Sequence, residues 1–390
     1  MADDDSTAPA STRELRSTVD EDGRVTLAVR TSDVAAPGRD EVTVRVEAAP
    51  INPSDLGMLL AGGDASTAES TGSEDLPAVT LTIPTGTAGQ EGRVGRAMQT
   101  GNEGGGTVVA AGSSEAAQAL LGRVVGFLSG TSYAEYRTLP VAACLPMHDG
   151  TDPADAAACF VNPLTALGMV ETMRDEGHTG LIHTVGASNL GQMLNRICLA
   201  DGVPLVNIVR RQEQVDLLRE QGAEHVVDSS ADSFRDDLAD ALRATGATIA
   251  FDAIGGGGLA SDILTAMEKV LSEGDEFSRY GSSTPKQVYV YGGLDRGPTV
   301  LERNYGMSWS VGGWLLTPFL VEIGRDRADA LRARVADEIT TTFASSYGMR
   351  LTLDEAVDPD HVRRYATMST GDKALVTPHG STGDSTDGEG

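Results

Sequence analysis

The chain has 390 residues, room for two domains with sizeable cores, and carries 57 acidic against 30 basic residues for a formal charge of −27. A surface so rich in carboxylates repels nucleic acid and anionic membranes, which excludes polyanion binding away from a local basic pocket. The segment Met1-Ala-Asp-Asp-Asp-Ser6 lacks the apolar core of a signal peptide, and no apolar run reaches the ~20 residues that cross a bilayer, so a cytoplasmic protein is expected. Lysine occurs only at 269, 286 and 373, and aromatics make up 4%. With the acid excess, this suits concentrated salt, where screening relieves self-repulsion, so a halophilic protein is one expectation and an ordinary acidic enzyme the other.

In chain order, Val42-Thr-Val-Arg-Val-Glu47 alternates as a half-buried strand. Ala49-Pro-Ile-Asn-Pro-Ser-Asp55 puts Asn52 before a proline, where Asn commonly forms a turn, and Asp55 where it can cap a short helix. Gly62 to Ser73 is nearly all small or polar and reads as an exposed loop. Asn162-Pro163 starts a helix over Leu164 to Met173, with Thr165 in its first turns. β-branched and Gly-rich character before residue 150 gives way afterwards to alternating strands and amphipathic helices, the pattern of a doubly wound parallel sheet.

That second half begins with the most informative stretch. Gly180-Leu-Ile-His-Thr-Val185 is an apolar strand, followed by Gly186-Ala-Ser-Asn-Leu-Gly191 and a helix with apolar residues at 190, 193, 194, 197 and 198. Small residues at Gly186, Ala187, Ser188 and Gly191 let a backbone approach phosphate, and the start of the helix through Asn189 and Leu190 offers N–H groups to it. The loop alone is a weak signal of a dinucleotide site. A second strand, Val203 to Val209, ends in Arg210 and Arg211, roughly twenty residues on, where an acid would mark NADH. Guanidinium groups there suit a 2′-phosphate, so NADPH is expected; a solvated pair at a helix start is the plainer alternative. Further strands are read within the turn-and-strand stretch 222–228 and at 248–254 and 287–291, the last followed by Gly292-Gly293.

Cys144, Cys159 and Cys198 have neither disulfide nor zinc-site spacing, and His148, His178, His183, His225, His361 and His379 are scattered, so no metal is expected. His183, inside an apolar strand, reads as a buried hydrogen-bonded residue.

These motifs, in this order, resemble the medium-chain dehydrogenase/reductases, in their zinc-free quinone oxidoreductase and enoyl reductase branch. Ala49 to Asp55 is similar to the branch's substrate-domain signature, Val161-Asn-Pro-Leu-Thr-Ala166 to its linking helix, and Tyr291-Gly-Gly-Leu294 to the strand end near the nicotinamide. Leu351 to Ala356 with Thr370 to Val376 is similar to its closing helix and strand. Gly101-Asn-Glu-Gly-Gly-Gly106 and Tyr305 to Trp314 look most like proteins labelled NADPH:quinone oxidoreductases. The resemblance implies an α/β protein: a GroES-like β-rich substrate domain over 13–155, completed by 335–377, a Rossmann domain over 156–334, and an active site in the cleft between them. Tails over 1–12 and 378–390 are expected to be disordered.

The resemblance further implies Asn52 as the catalytic amide, with Asp55 and Trp309 on the substrate side. The cofactor side comprises Thr165, Gly186, Ala187, Ser188, Asn189, Leu190, Gly191, Arg210, Arg211, Tyr291 and Gly292. Without a metal, NADPH can still reduce an electron-poor acceptor, so a quinone or α,β-unsaturated carbonyl is expected. Enoyl-thioester reductases of the branch carry a tyrosine donor soon after the Asn-Pro-x-Asp signature, whereas this chain continues Leu56-Gly-Met-Leu-Leu-Ala-Gly62. The alternatives are such a thioester reductase and a non-catalytic NADPH-binding redox sensor. A homodimer is expected from the branch, with Trp309 and Trp314 either lining the acceptor pocket or forming a subunit contact.

Overall fold

The structure is a computed structural model and describes residues 9–87, 91–274, 276–368, 371 and 373–380. It divides into two compact units, one formed by the described residues up to Val161 and from Arg334, the other by Asn162–Ala333.

The first unit is mostly antiparallel sheet. Its strands are β1 (Ser11–Val19), β2 (Arg24–Asp33), β3 (Glu41–Pro50), β4 (Asp64–Ser70), β5 (Ala78–Thr82), β6 (Ala97–Gln99), β7 (Glu103–Ala111), β8 (Val124–Leu128), β9 (Tyr136–Pro140) and β10 (Cys144–Pro146). Short helices α1 (Pro53–Leu59), α2 (Glu115–Gln118) and α3 (Pro153–Ala156) lie among them. One sheet has the order β4-β5-β2-β1-β6. Alternation along β1 and β2 sends Leu15, Val19, Val25, Leu27 and Val29 inward against Leu56 and Leu59 of α1. Truncating a fully buried residue such as Leu27 to Ala would cost about 2–5 kcal/mol.

The second unit begins at α4 (Val161–Asp175) and continues β11 (Leu181–Thr184), α5 (Asn189–Asp201), β12 (Leu205–Val209), α6 (Gln212–Glu220), β13 (His225–Asp228), α7 (Phe234–Thr245) and β14 (Ile249–Asp252). It is completed by β15 (Gly255–Gly257), α8 (Leu259–Leu271), β16 (Lys286–Val290), β17 (Asp295–Thr299), β18 (Trp309–Gly313), α9 (Leu316–Glu322) and α10 (Gly324–Asp337). Six parallel strands stand in the order β13-β12-β11-β14-β16-β18. Every residue of β11, β12 and β14 is buried, as a parallel sheet covered on both faces requires. Ile182, Val206, Ile208, Ala250 and Val288 pack against Leu238 and Leu242 of α7 and Ile263, Leu264 and Met267 of α8.

The chain then returns to the first unit with β19 (Met349–Leu351), α11 (Pro359–Ala366) and β20 (Ala374–Val376). There the second sheet runs β10-β8-β7-β3-β20-β19, with β9 also on β3, so the last strand pairs with one of the first. Val42, Val44, Val46, Val125 and Phe127 fill its core.

Three expectations are corrected. Residues 64–70 form β4, which pairs with β5, because an edge strand needs only its partner's backbone and no apolar face. The expected tails 1–12 and 378–390 include structured residues: Ser11 and Thr12 pair with Asp33 and Ser32, and His379 Nε2 lies 3.0 Å from the Glu135 carbonyl. Residues 1–8 and 381–390 of those tails lie outside the described residues. Five parallel strands are read from the sequence, and β18 is the sixth.

Candidate functional site

The strand order of the second unit is the doubly wound 3-2-1-4-5-6 pattern, whose connections reverse direction between β11 and β14. Two neighbouring strands whose following helices turn to opposite faces leave a crevice at their carboxyl ends. Here that point is marked by a hydrogen bond from Thr184 Oγ1 at the end of β11 to Asp252 Oδ1 at the end of β14, 2.9 Å long. The same hydroxyl accepts from Ala253 N at 2.8 Å, and Asp252 also takes the N–H groups of Ile254 and Gly255. The carboxyl edge is therefore cross-linked by side chains as well as by sheet bonds.

The loop from β11 to α5 lies at this edge. Ser188 is the N-cap of α5, its hydroxyl accepting from Gly191 N at 3.0 Å and remaining able to donate. Gly191 has no room for a side chain, since a Cβ would lie 2.2 Å from the Gly186 carbonyl oxygen. That close approach seats the 13-residue helix α5 with its first N–H groups and positive dipole end at the loop. Val185 holds φ at 60°, a strained conformation for a β-branched residue. Ala187 is buried against Val209, Val215 and Leu218, so it anchors the loop to α6. Asn189 and Leu190 open α5. The loop thus has the close-packed backbone and helix start that a pyrophosphate needs.

Arg210 and Arg211 follow β12 directly and are exposed, Arg211 as the N-cap of α6. Among the described residues neither guanidinium is ion-paired, whereas Arg174, Arg243 and Arg327 of the same unit each bind two acids. Tyr291 and Gly292 follow β16, with Tyr291 N donating to Asp252 O at 2.9 Å. Gly292 is also sterically required, as a Cβ would lie 2.6 Å from Ala253 O. Thr165 is buried in α4.

In the first unit, Asn52 donates through Nδ2 to Glu103 Oε1 at 2.8 Å, both side chains buried. The other oxygen of Glu103 accepts from Phe160 N and Val161 N at 2.9 and 2.8 Å, at the start of α4. Burial raises the Glu103 carboxyl above its ordinary range against these donors and Lys373. Asp55 does not present its carboxylate as the substrate-side expectation requires. It is buried, with one oxygen on Asn52 N at 2.9 Å and the other on Asn102 N at 2.7 Å, so it caps α1 and ties it to β7. Desolvation pushes it to about 7.

Trp309 likewise lies elsewhere. It opens β18 opposite Lys286, at the amino end of the parallel sheet, edge-on to Tyr305 with centroids 4.9 Å apart. It lines an open depression of about 420 Å³ with Glu176, His178 and Gln287, at the end of the strands remote from the glycine loop. Trp314, just beyond β18, donates from Nε1 to Thr172 Oγ1 at 3.0 Å and packs on Phe319. Among the described residues no three His, Cys, Asp or Glu side chains gather as metal ligands, and no helix is long and apolar enough to cross a membrane.

No family model matches the chain. Over 215 residues it is 29% identical to the mitochondrial enoyl-[acyl-carrier-protein] reductase of Xenopus tropicalis, covering 52% of this chain and 51% of that protein. The chain thus spans about half the length of the curated relatives it matches. A solved structure from Mesorhizobium loti, assigned as an NADPH:quinone reductase, superposes with a TM-score of 0.71 and 26% identity, covering 95% of this chain and 100% of that one. The chain has the fold of the medium-chain dehydrogenase/reductases. A mycobacterial protein solved with NADPH shares this fold at a TM-score of 0.65 and 19% identity, over 94% of this chain and 100% of the other.

In this medium-chain reductase fold, two residues gain roles that the sequence did not assign. Glu103 holds Asn52 from 51 positions away. His183 is fully buried with Nε2 2.7 Å from the Tyr291 hydroxyl, 108 positions on. The glycines around Glu103 mark close backbone packing, and the burial expected of His183 is seen, but neither partner was legible locally.

Proposed function

We propose that the protein is an NADPH-dependent reductase of a quinone or small α,β-unsaturated carbonyl. The carrying observation is the glycine loop and capped start of α5 at the switch point of the sheet, where a tightly packed loop of mostly small residues meets a helix N-terminus. The N–H groups of α5, with Ser188 and Gly186, would hold the pyrophosphate, and Arg210 and Arg211 the 2′-phosphate. Gly292 lets the backbone after β16 pack closely on Ala253, and Tyr291 beside it would lie at the nicotinamide end. When bound, NADPH supplies a hydride.

The chain's own groups orient the reactants and exclude competing charge. Glu103 fixes the Asn52 amide as a donor to its carboxylate, which orients that amide and anchors the start of α4. Asp252, held by Thr184 and two backbone N–H groups, keeps the carboxyl edge rigid. An acceptor already conjugated to oxygen needs only alignment and hydrogen bonding at that oxygen.

Enoyl-thioester reduction is the second reading, favoured by the names of the curated relatives. Against it, α1 offers Leu56, Met58 and Leu59 where that chemistry would draw on a phenol.

The test is loss of reduced-nicotinamide absorbance when purified protein meets NADPH with 1,4-benzoquinone, a 1,4-naphthoquinone, 2-cyclohexenone or crotonyl-CoA. Turnover of a quinone or enone above crotonyl-CoA is expected. Tight NADPH binding with no oxidation by any acceptor would establish the redox-sensor alternative instead.

A further inference from the structure

We propose that His183 sets the Tyr291 hydroxyl as a hydrogen-bond donor to a carbonyl oxygen bound at the carboxyl end of the parallel sheet. The inference rests on the NADPH reading above for the identity of that carbonyl, but its physical basis is internal to the second unit.

His183 is fully buried on β11, its ring stacked on Tyr291 with centroids 5.8 Å apart and planes 25° from parallel. Nε2 lies 2.7 Å from the phenol oxygen, and Nδ1 is buried with no hydrogen-bond partner among the described residues. Burial pushes the imidazole down to about 3, so it is neutral and carries one N–H. Two tautomers remain. If Nδ1 carried the proton, a fully buried N–H would be orphaned; if Nε2 carries it, Nδ1 is left only a lone pair, and the donor left free is the O–H of Tyr291, which is only partly buried and can reach water or a bound ligand. Orphaned buried donors are the rarer and costlier case, so the Nε2–H form prevails and donates to the phenol oxygen.

The tyrosine's own proton must then point away from His183. Burial and the nearby Asp252 carboxylate both disfavour phenolate, so the O–H persists. Asp252 is already engaged by Thr184, Ile254 N and Gly255 N, and no other acceptor for the phenol is found among the described residues. A committed O–H donor beside Gly292 fits an acceptor-only group of neutral or developing negative charge, which is a carbonyl oxygen. Two sources share that chemistry: the carboxamide of the nicotinamide, and the conjugated carbonyl of the acceptor.

The experiment compares wild type with Tyr291→Phe, His183→Gln and His183→Leu, measuring the NADPH Kd by nicotinamide fluorescence and kcat and KM for a 1,4-naphthoquinone. Tyr291→Phe is expected either to raise the NADPH Kd or to lower kcat/KM about 5- to 20-fold, the effect of losing one hydrogen bond. A rise in NADPH Kd alone assigns the carboxamide, and a fall in kcat/KM at unchanged Kd assigns the acceptor. His183→Gln keeps a side-chain N–H and should stay near wild type, while His183→Leu should fall to the Tyr291→Phe level; equal losses in the two would point to packing and overturn the proposal. Separately, two-bond ¹⁵N–¹H correlation on histidine-labelled wild type, with His183 assigned by its loss in His183→Gln, should show Nε2 protonated. Protonated Nδ1, or Tyr291→Phe matching wild type throughout, would also overturn it. The tautomer is read without cofactor, so it judges this inference even if wild type binds no NADPH, an outcome that would sink only the underlying function.

Discussion

Glu103 and Asn52 are joined carboxylate to amide at 2.8 Å inside the first unit, and the polarity of that bond is one-way: an ionised carboxylate only accepts, so the amide nitrogen must face it. Asn52→Asp keeps the shape and puts two carboxylates at that distance. The variant is expected to lose about 3 kcal/mol of stability at pH 7 and less at pH 5, where a shared proton relieves the repulsion. Urea unfolding at the two pH values checks it, and equal losses at both would show that charge is not the cause.

Gly191→Ala places a methyl group 2.2 Å from the Gly186 carbonyl oxygen, both of them backbone-positioned. The start of α5 must shift, at an expected cost of about 1–3 kcal/mol. NADPH affinity should fall with it, at least tenfold, because the displaced N–H groups are those proposed for the pyrophosphate. Thermal melts and fluorescence titration measure the two losses together; a destabilised variant with unchanged affinity would move the cofactor away from this loop.

Arg210→Asp should weaken NADPH far more than NADH, since only the former carries the 2′-phosphate that a guanidinium clamps and a carboxylate repels. Equal weakening of the two would return both arginines to the role of solvated helix-start residues.

Two buried carboxylates give stability opposite pH dependences. Asp55 is held up at about 7, mainly by desolvation, against its ordinary 3.8; the folded state keeps a proton that the unfolded chain releases, so its contribution is full below about 4 and is lost as pH rises through 7. Glu14 is the reverse. Burial alone would raise it, but hydrogen bonds from Ser32, Arg137 and Gln99 and the Arg137 charge bring it to about 2, so its contribution is full above 4.5 and is lost as pH falls through 2. Asp55→Asn should therefore flatten the decline in stability between pH 4 and 7, a slope of up to about 1.4 kcal/mol per pH unit. Urea midpoints for variant and wild type over that range test it; parallel curves would mean that Asp55 is ionised throughout.

With 57 acidic and 30 basic residues, self-repulsion should be relieved as salt screens it. We expect the melting temperature to rise from 0.1 M to molar potassium chloride, and an unchanged value would leave the acidity without a high-salt explanation.

The parallel sheet was legible because β11, β12 and β14 are continuous apolar runs bounded by glycine or charge, the signature of strands buried on both faces. β18 and β4 were not. Trp309-Ser-Val-Gly-Gly313 and Asp64 to Ser70 have little apolar pattern, and both are edge strands whose pairing is decided by a neighbour's backbone. The glycine loop announced itself because phosphate approach restricts residue type locally. Glu103 and His183 did not, because their roles depend on partners 51 and 108 positions away that only the folded chain supplies. Asp55 and Trp309 mark the same limit, because the contacts that set the direction of each side chain are supplied only by the folded chain.

The chain's two tryptophans bracket a single five-residue strand, Trp309 at its first position and Trp314 one step past its last. Their backbones are separated by roughly 16 Å along the strand at the usual rise per residue. The molecule thus carries two intrinsic fluorophores at opposite rims of one sheet. Replacing Trp309 by Phe would leave an indole emission originating only from the rim that bears the glycine loop, an optical gauge of that rim needing no added label.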